Sequence, residues 1–137
     1  VAKATMKLPD EFLKKVSRLG DKTDEIVPRV LKAGAEVVED KIRDNLKNVI
    51  SGNGTGQLVA ALGTSGARQD KDGNFNVKIG FDEPRRDGDS NAKIANILEY
   101  GRSGQPARPF LKPAKTATHK ACIEIMTEQL EKEIEGI

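Results

Sequence analysis

Apolar residues along this chain recur at two different periods, and the switches between them mark out the elements. From residue 23 to about 50 they return every three or four positions: Ile26, Val30, Ala33, Val37, the stem of Lys41, the pair Val38 and Ile42, then Leu46 and Val49. That spacing lines one face of a helix and predicts a single long one. Thr23 or Asp24 can cap it, with Asp24 and Glu25 at its positive end. Pro28 falls within its first turns. Gly34, in mid-helix, costs about 1 kcal/mol relative to alanine and reads as a close approach of another backbone. Upstream, Pro9 to Gly20 places Phe12, Val16 and Leu19 on one face, which predicts a short helix within a peripheral segment, residues 1–21.

The period changes to two at Phe75, Val77, Ile79 and Phe81, which alternate with Asn76, Lys78 and Gly80. This predicts a strand with one packed and one wet face. A second strand is expected over 63–69, joined to it through the turn signal Asp72-Gly73. Gln57 to Leu62 allows one helical turn. Helical spacing returns from a cap at Ser90 or Asn91 to Tyr100, with Ile94, Ile97 and Leu98 inward and Gly101 as the stop. It returns again from Pro113 to about Ile134, where Ala114, Ala117, Ala121, Cys122, Ile125, Met126 and Leu130 form the stripe, with Ile123 and Ile134 at its margin. The expected fold is α+β: a long N-terminal helix, a small antiparallel sheet with a β hairpin, a short helix and a long C-terminal helix. One domain over residues 1–137 suits this length, and no internal repeat is present.

Between the last two helices lies the most constrained stretch: Glu99-Tyr100-Gly101-Arg102, then Pro106-Ala107-Arg108-Pro109-Phe110-Leu111-Lys112-Pro113. Each proline fixes its own φ and pushes the preceding residue towards extended geometry. Gln105, Arg108 and Lys112 are therefore expected along a stiff, extended connector, with a helix starting at Pro113. Phe110 reads as the anchor of that connector on the sheet. Arg108 is either an internal clamp on a carboxylate such as Glu99 or an interface contact, both uses of a planar, permanently charged group.

The same residues carry a resemblance. Leu98-Glu99-Tyr100-Gly101 followed by Pro106-Ala107-Arg108-Pro109-Phe110-Leu111 and Pro113-Ala114 resembles the signature of a family of bacteriophage tail-component proteins. Thr55-Gly56-Gln57-Leu58 matches a turn that follows the long helix in that family, and the matches with the element order span roughly residues 22–134. Where the family often has His-Ala ahead of its Glu-Tyr-Gly, this chain reads Ala92-Lys93-Ile94-Ala95, so no role for that histidine carries over. The resemblance implies a structural protein of the virion neck or tail, acting in tail completion or head–tail joining and made in the bacterial host cytoplasm. Adjacent neck or tail proteins are the partners such a role implies, and self-association, in a ring where the rotation closes, is the mechanism expected of it.

Composition narrows the alternatives. Of 137 residues, 36% are hydrophobic and 4% aromatic, with no tryptophan, which argues against a large aromatic-lined ligand pocket. A net charge of +2 excludes a strongly basic coat but allows a local basic patch. One cysteine, Cys122, allows no internal disulfide and reads as a small buried residue. No signal peptide or membrane span is read, and no membrane partner is expected.

Candidate chemistry is thin. Gly52-Asn53-Gly54-Thr55-Gly56 follows a helix, not a strand, and lacks the lysine of a phosphate loop. His119, the one histidine, has no strong ligands beside it, and its i,i+3 spacing to Cys122 lacks a third orienting group. Asp82-Glu83 and Asp87-Gly88-Asp89 flank Arg85-Arg86, which reads as a solvated charged loop rather than a metal-dependent nuclease. No catalytic residue, cofactor or metal is expected.

Charge is segregated, however. From Glu99 to Lys120 the chain carries Arg102, Arg108, Lys112, Lys115 and Lys120 against one acid, and from Glu124 onwards Glu124, Glu128, Glu131, Glu133 and Glu135 against Lys132. Three readings stand: an ordinary solvated surface, head-to-tail complementarity between subunits, or a basic lining that meets DNA non-specifically in a channel. The alternative function is a small nucleic-acid-binding protein using the basic patch around residues 102–120.

Overall fold

The computed structural model describes residues 2–50, 56–82 and 90–136. Strand β1 (Ala4–Lys7) leads through a 3-10 turn into α1 (Leu13–Ser17) and the long α2 (Thr23–Val49). Then follow α3 (Gln57–Ala61), β2 (Leu62–Thr64), β3 (Arg68–Gln69), β4 (Phe75–Phe81), α4 (Asn91–Tyr100) and α5 (Leu111–Glu135). The α+β order expected from the sequence is the one observed. Residues 52–55 of the glycine stretch and 83–89 of the charged loop, considered above as phosphate and metal sites, lie outside the described residues.

All pairings in the sheet are antiparallel, and β4 sits at its centre. On one side runs β1, with Ala4 opposite Ile79 and Lys7 opposite Asn76. No strand was expected before residue 63. Four residues with three small or polar members give little pattern, and the partner that makes them a strand lies some seventy positions away. On the other side, the single strand expected over 63–69 divides. Thr64 faces Ile79 but Arg68 faces Asn76, so the register slips by one residue across 65–67. Ser65 bridges the slip: its N–H donates to the Lys78 carbonyl (2.8 Å), and its hydroxyl accepts from Lys78 N–H (2.9 Å). The hairpin turn behaves as its Asp-Gly signal predicts. Gly73 takes φ +83°, and the Asp70 carboxylate accepts from Asp72 and Asn74.

Helices α2 and α5 pack antiparallel: Arg29 meets Glu133, Gly34 meets Met126, and Asn45 meets Phe110. The buried face of α2 is rotated from the expected stripe. Val27, Leu31 and Ala35 are buried with Ile26, Val30, Val38, Ile42 and Leu46, while Ala33 and Val37 sit at the margin. A broad face results, because α2 covers both α5 and the sheet. Gly34 does mark a close approach, but of side chains rather than backbone. A Cβ there would stand 2.7 Å from Met126 Cγ and 3.0 Å from Cys122 Sγ. Neither Thr23 nor Asp24 caps α2; the Thr23 hydroxyl donates back to the Gly20 carbonyl at 2.8 Å. On α5, Thr118 is buried in place of the exposed Ala117, its hydroxyl satisfied by the Ala114 carbonyl at 2.7 Å.

Residues 2–19 join the same core. Ala2, Ala4, Phe12 and Leu19 are buried with the α2 and α5 stripes. Cys122 lies in that core with its Sγ 3.6 Å from Met6 Sδ, and burial pushes its thiol pKa up. It points at β1, not at His119, which is exposed.

Candidate assembly surface

The surface is built where α4 hands the chain to α5. Ser90 caps α4 by accepting the Lys93 N–H at 3.2 Å, which settles the choice between Ser90 and Asn91. Asn91 is instead buried, its amide donating to the Asp82 carbonyl at 2.7 Å. Gly101 ends the helix at φ +75°, where a Cβ would stand 2.8 Å from the Ala107 backbone nitrogen. Only glycine allows the returning chain to pass this close.

From there the chain makes a short finger. Arg102 and Gln105 exchange backbone hydrogen bonds of 2.9 Å in both directions, and the Arg108 N–H donates to the Leu98 carbonyl at 2.6 Å. Residues 102–109, Pro106 and Pro109 among them, are all exposed. The stiffness expected from the prolines is therefore reinforced by backbone bonds to itself and to α4.

Glu99 forms the joint beneath. It is 5% exposed, and its Oε1 accepts the N–H groups of Phe110 (2.8 Å) and Leu111 (2.7 Å), while Oε2 accepts that of Lys112 (3.1 Å). The start of a helix presents unpaired N–H donors and a positive dipole end, and a carboxylate answers both. This moves the helix start forward. Lys112, expected to be extended ahead of Pro113, is the second residue of α5, and Pro113 lies in its first turn where no N–H is needed. With Glu99 so engaged, Arg108 does not clamp it. The guanidinium reaches the Val49 carbonyl at 3.4 Å. Phe110 is fully buried edge-on to Phe81, ring centroids 6.0 Å apart, and Asn45 donates to its carbonyl at 3.3 Å.

The ten residues singled out in the sequence thus divide. Glu99, Gly101, Phe110 and Pro113 shape the joint, whereas Tyr100, Arg102, Pro106, Arg108, Pro109 and Lys112 face solvent. Tyr100 is 63% exposed, and sequence spacing gave no reason to expect an aromatic in the open. Leu13, on the far side of the chain order, is 52% exposed. A groove of about 900 Å³ runs between β1, α1, β4 and α5, with Met6, Leu8, Phe75 and Met126 in its lining and Lys115 and His119 on the α5 side. Sequence reading missed it because β1 was not foreseen.

Two ion-pair networks brace the scaffold. Glu133 receives Arg29 in a two-point contact (2.7 and 2.9 Å) and Gln129 at 3.0 Å, and the Arg29 bonds hold its pKa below the usual range. Glu39 is partly buried, which works to raise its pKa. Hydrogen bonds from Arg43 and Thr64, both 2.7 Å, outweigh that and lower it. Among the described residues no cluster of metal-binding side chains occurs, and no helix is long and apolar enough to cross a membrane.

Comparison with known proteins identifies a family. The family model described as "Bacteriophage HK97-gp10, putative tail-component" covers residues 10–101, from the turn before α1 to the glycine that ends α4. That span starts earlier than the motifs suggested and stops short of the finger and α5. No curated protein and no solved structure matches the chain. The matched span is about two thirds of the chain, and the protein belongs to the phage HK97-gp10-like family of tail components.

Proposed function

We propose that this protein is a structural, non-enzymatic component of the phage neck or tail that acts in tail completion or head–tail joining. It would do so as one domain over residues 1–137, by associating with copies of itself in a ring and with adjacent neck or tail proteins. Family membership carries the reading. The architecture is consistent with it: a braced two-helix core holds a stiff, exposed, arginine-bearing finger, a form suited to docking rather than turnover. Electron microscopy of particles made without this gene is the test. Filled heads beside separate, complete tails are expected; normal virions would overturn the assignment.

A second reading has one observation in its favour. Arg102, Lys112, Lys115 and Lys120 are exposed and enter none of the ion pairs among the described residues. Such a patch could attract phosphates non-specifically, either in a channel that DNA traverses or in a free nucleic-acid-binding protein. Binding of duplex DNA that weakens steeply with salt is its signature.

A further inference from the structure

Helix α5 carries its charges against its own dipole. Cations belong near a helix C-terminus and anions near its N-terminus. Here the first turn contains Lys112 and no acid, and the last turn contains Glu133 and Glu135 against Lys132. Folding within the chain relieves part of this. Glu99 covers the N-terminal donors, Arg29 neutralises Glu133, and Lys15 lies 3.5 Å from Glu131. Glu124 and Glu128, one turn apart and both exposed, enter no ion pair among the described residues, although Lys120 stands one turn before Glu124 and Lys132 one turn after Glu128.

The finger has the opposite character. Arg102 and Arg108 are exposed on a backbone tied at both ends, beside the open Tyr100 ring. Arginine and tyrosine on a pre-ordered backbone lose little freedom on docking, and they are the residue types that dominate interface energetics. Along α5 the acidic pair lies roughly 20 Å from the finger end, at a rise of about 1.5 Å per residue. One protomer therefore carries two complementary patches too far apart to meet within itself.

We propose that the finger of one copy, through Arg102, Arg108 and Tyr100, docks on the Glu124–Glu128 face of α5 in a second copy. The contact is heterologous, so each protomer gives one patch and receives the other, and repetition closes a ring or continues as a chain. This rests on the self-association proposed above and names its surface.

The test uses two charge-reversed forms of the full chain, Arg102→Glu with Arg108→Glu, and Glu124→Lys with Glu128→Lys. Native helicity is checked for each by circular dichroism, and mass is measured by light scattering over a range of concentrations. Wild type should assemble, with apparent affinity falling at least about tenfold between low and high salt. Each variant alone should stay monomeric, because its two patches then carry like charge. Mixed in equal amounts they should assemble again, since each reversed patch meets its complement. Folded variants that assemble as wild type does, or a mixture that fails to recover, would overturn this surface while leaving self-association standing. A wild-type chain monomeric at every concentration would overturn the docking and leave the gene-deletion phenotype to judge the neck role. Salt-sensitive DNA binding lost with the arginines, without any change in mass, would assign the finger to DNA instead.

Discussion

Glu99 Oε1 lies 2.7 Å from the backbone nitrogen of Leu111, so a side chain at the end of one helix supplies the cap of the next. The finger between them is thereby closed at its base. Its geometry depends on a single buried carboxylate rather than on the prolines alone.

Removing that carboxylate should be costly in a graded way. Glu99→Ala leaves three N–H groups without their acceptor, two of them buried, and is expected to lower stability by about 3 kcal/mol. Glu99→Gln keeps one acceptor oxygen but turns an amide donor towards Lys112 N–H, for a loss of about 1–2 kcal/mol. Urea denaturation of both variants measures this, and an alanine variant as stable as wild type would refute the cap.

Gly101 and Gly104 provide a matched pair. Both have positive φ, yet only at Gly101 would a Cβ strike backbone. Gly104→Ala should cost about 1 kcal/mol from conformation alone, and Gly101→Ala about 2–4 kcal/mol. Thermal midpoints of the two variants give the comparison; equal losses would mean that the close passage of Ala107 is unimportant.

At Gly34 two effects oppose each other. Alanine improves helix propensity by about 1 kcal/mol but overpacks against Met126 and Cys122, at about 1–3 kcal/mol. We expect Gly34→Ala to be net destabilising. The truncation Met126→Ala should then cost less in the Gly34→Ala background than in wild type. A strictly additive double-mutant cycle would contradict the contact.

Acid should loosen the fold through Glu39 and Glu133. Both folded pKa values are depressed, so the stability they contribute is present above the unfolded carboxylate value near 4.5 and is lost as pH falls through the folded ones. Denaturation midpoints should drop as pH falls below the unfolded value near 4.5, and less so in Glu39→Gln. The Arg29 side chain is half exposed, so added salt should weaken the Glu133 part. A Glu39→Gln profile as steep as wild type would count against the Glu39 network.

Cys122 should be nearly inert in the native state. Burial raises its pKa and hides the thiol beneath β1, so a disulfide reagent should modify it only as fast as the chain opens. Modification as rapid as in denaturant would show that β1 does not cover it.

Much of the helical and sheet framework is legible in the sequence because period and punctuation agree there. Phe75 to Phe81 alternates cleanly, and Ser90 and Gly101 bracket α4 with standard cap chemistry. What stays hidden is set by distant partners. Ala4–Lys7 becomes a strand only because Asn76–Ile79 offers it an edge. The buried face of α2 turns towards Leu31 and Ala35 because a sheet as well as a helix must be covered. At the candidate surface, three prolines announce a stiff connector, but nothing local says that a glutamate eleven residues earlier will cap the following helix. Arg108 is open to two roles from the sequence alone, and the engagement of Glu99 with the start of α5 removes its clamp on that carboxylate.

The antiparallel pairing of α2 with α5 also bears on how the chain is made. Ile42 and Leu46 leave the ribosome long before Phe110 and Ala114 exist to cover that end of the helix, and Leu31 and Gly34 wait longer still for Met126. For most of its synthesis the longest helix must therefore present an apolar face to whatever is nearby. The yield of folded protein should then respond to translation speed and chaperone supply.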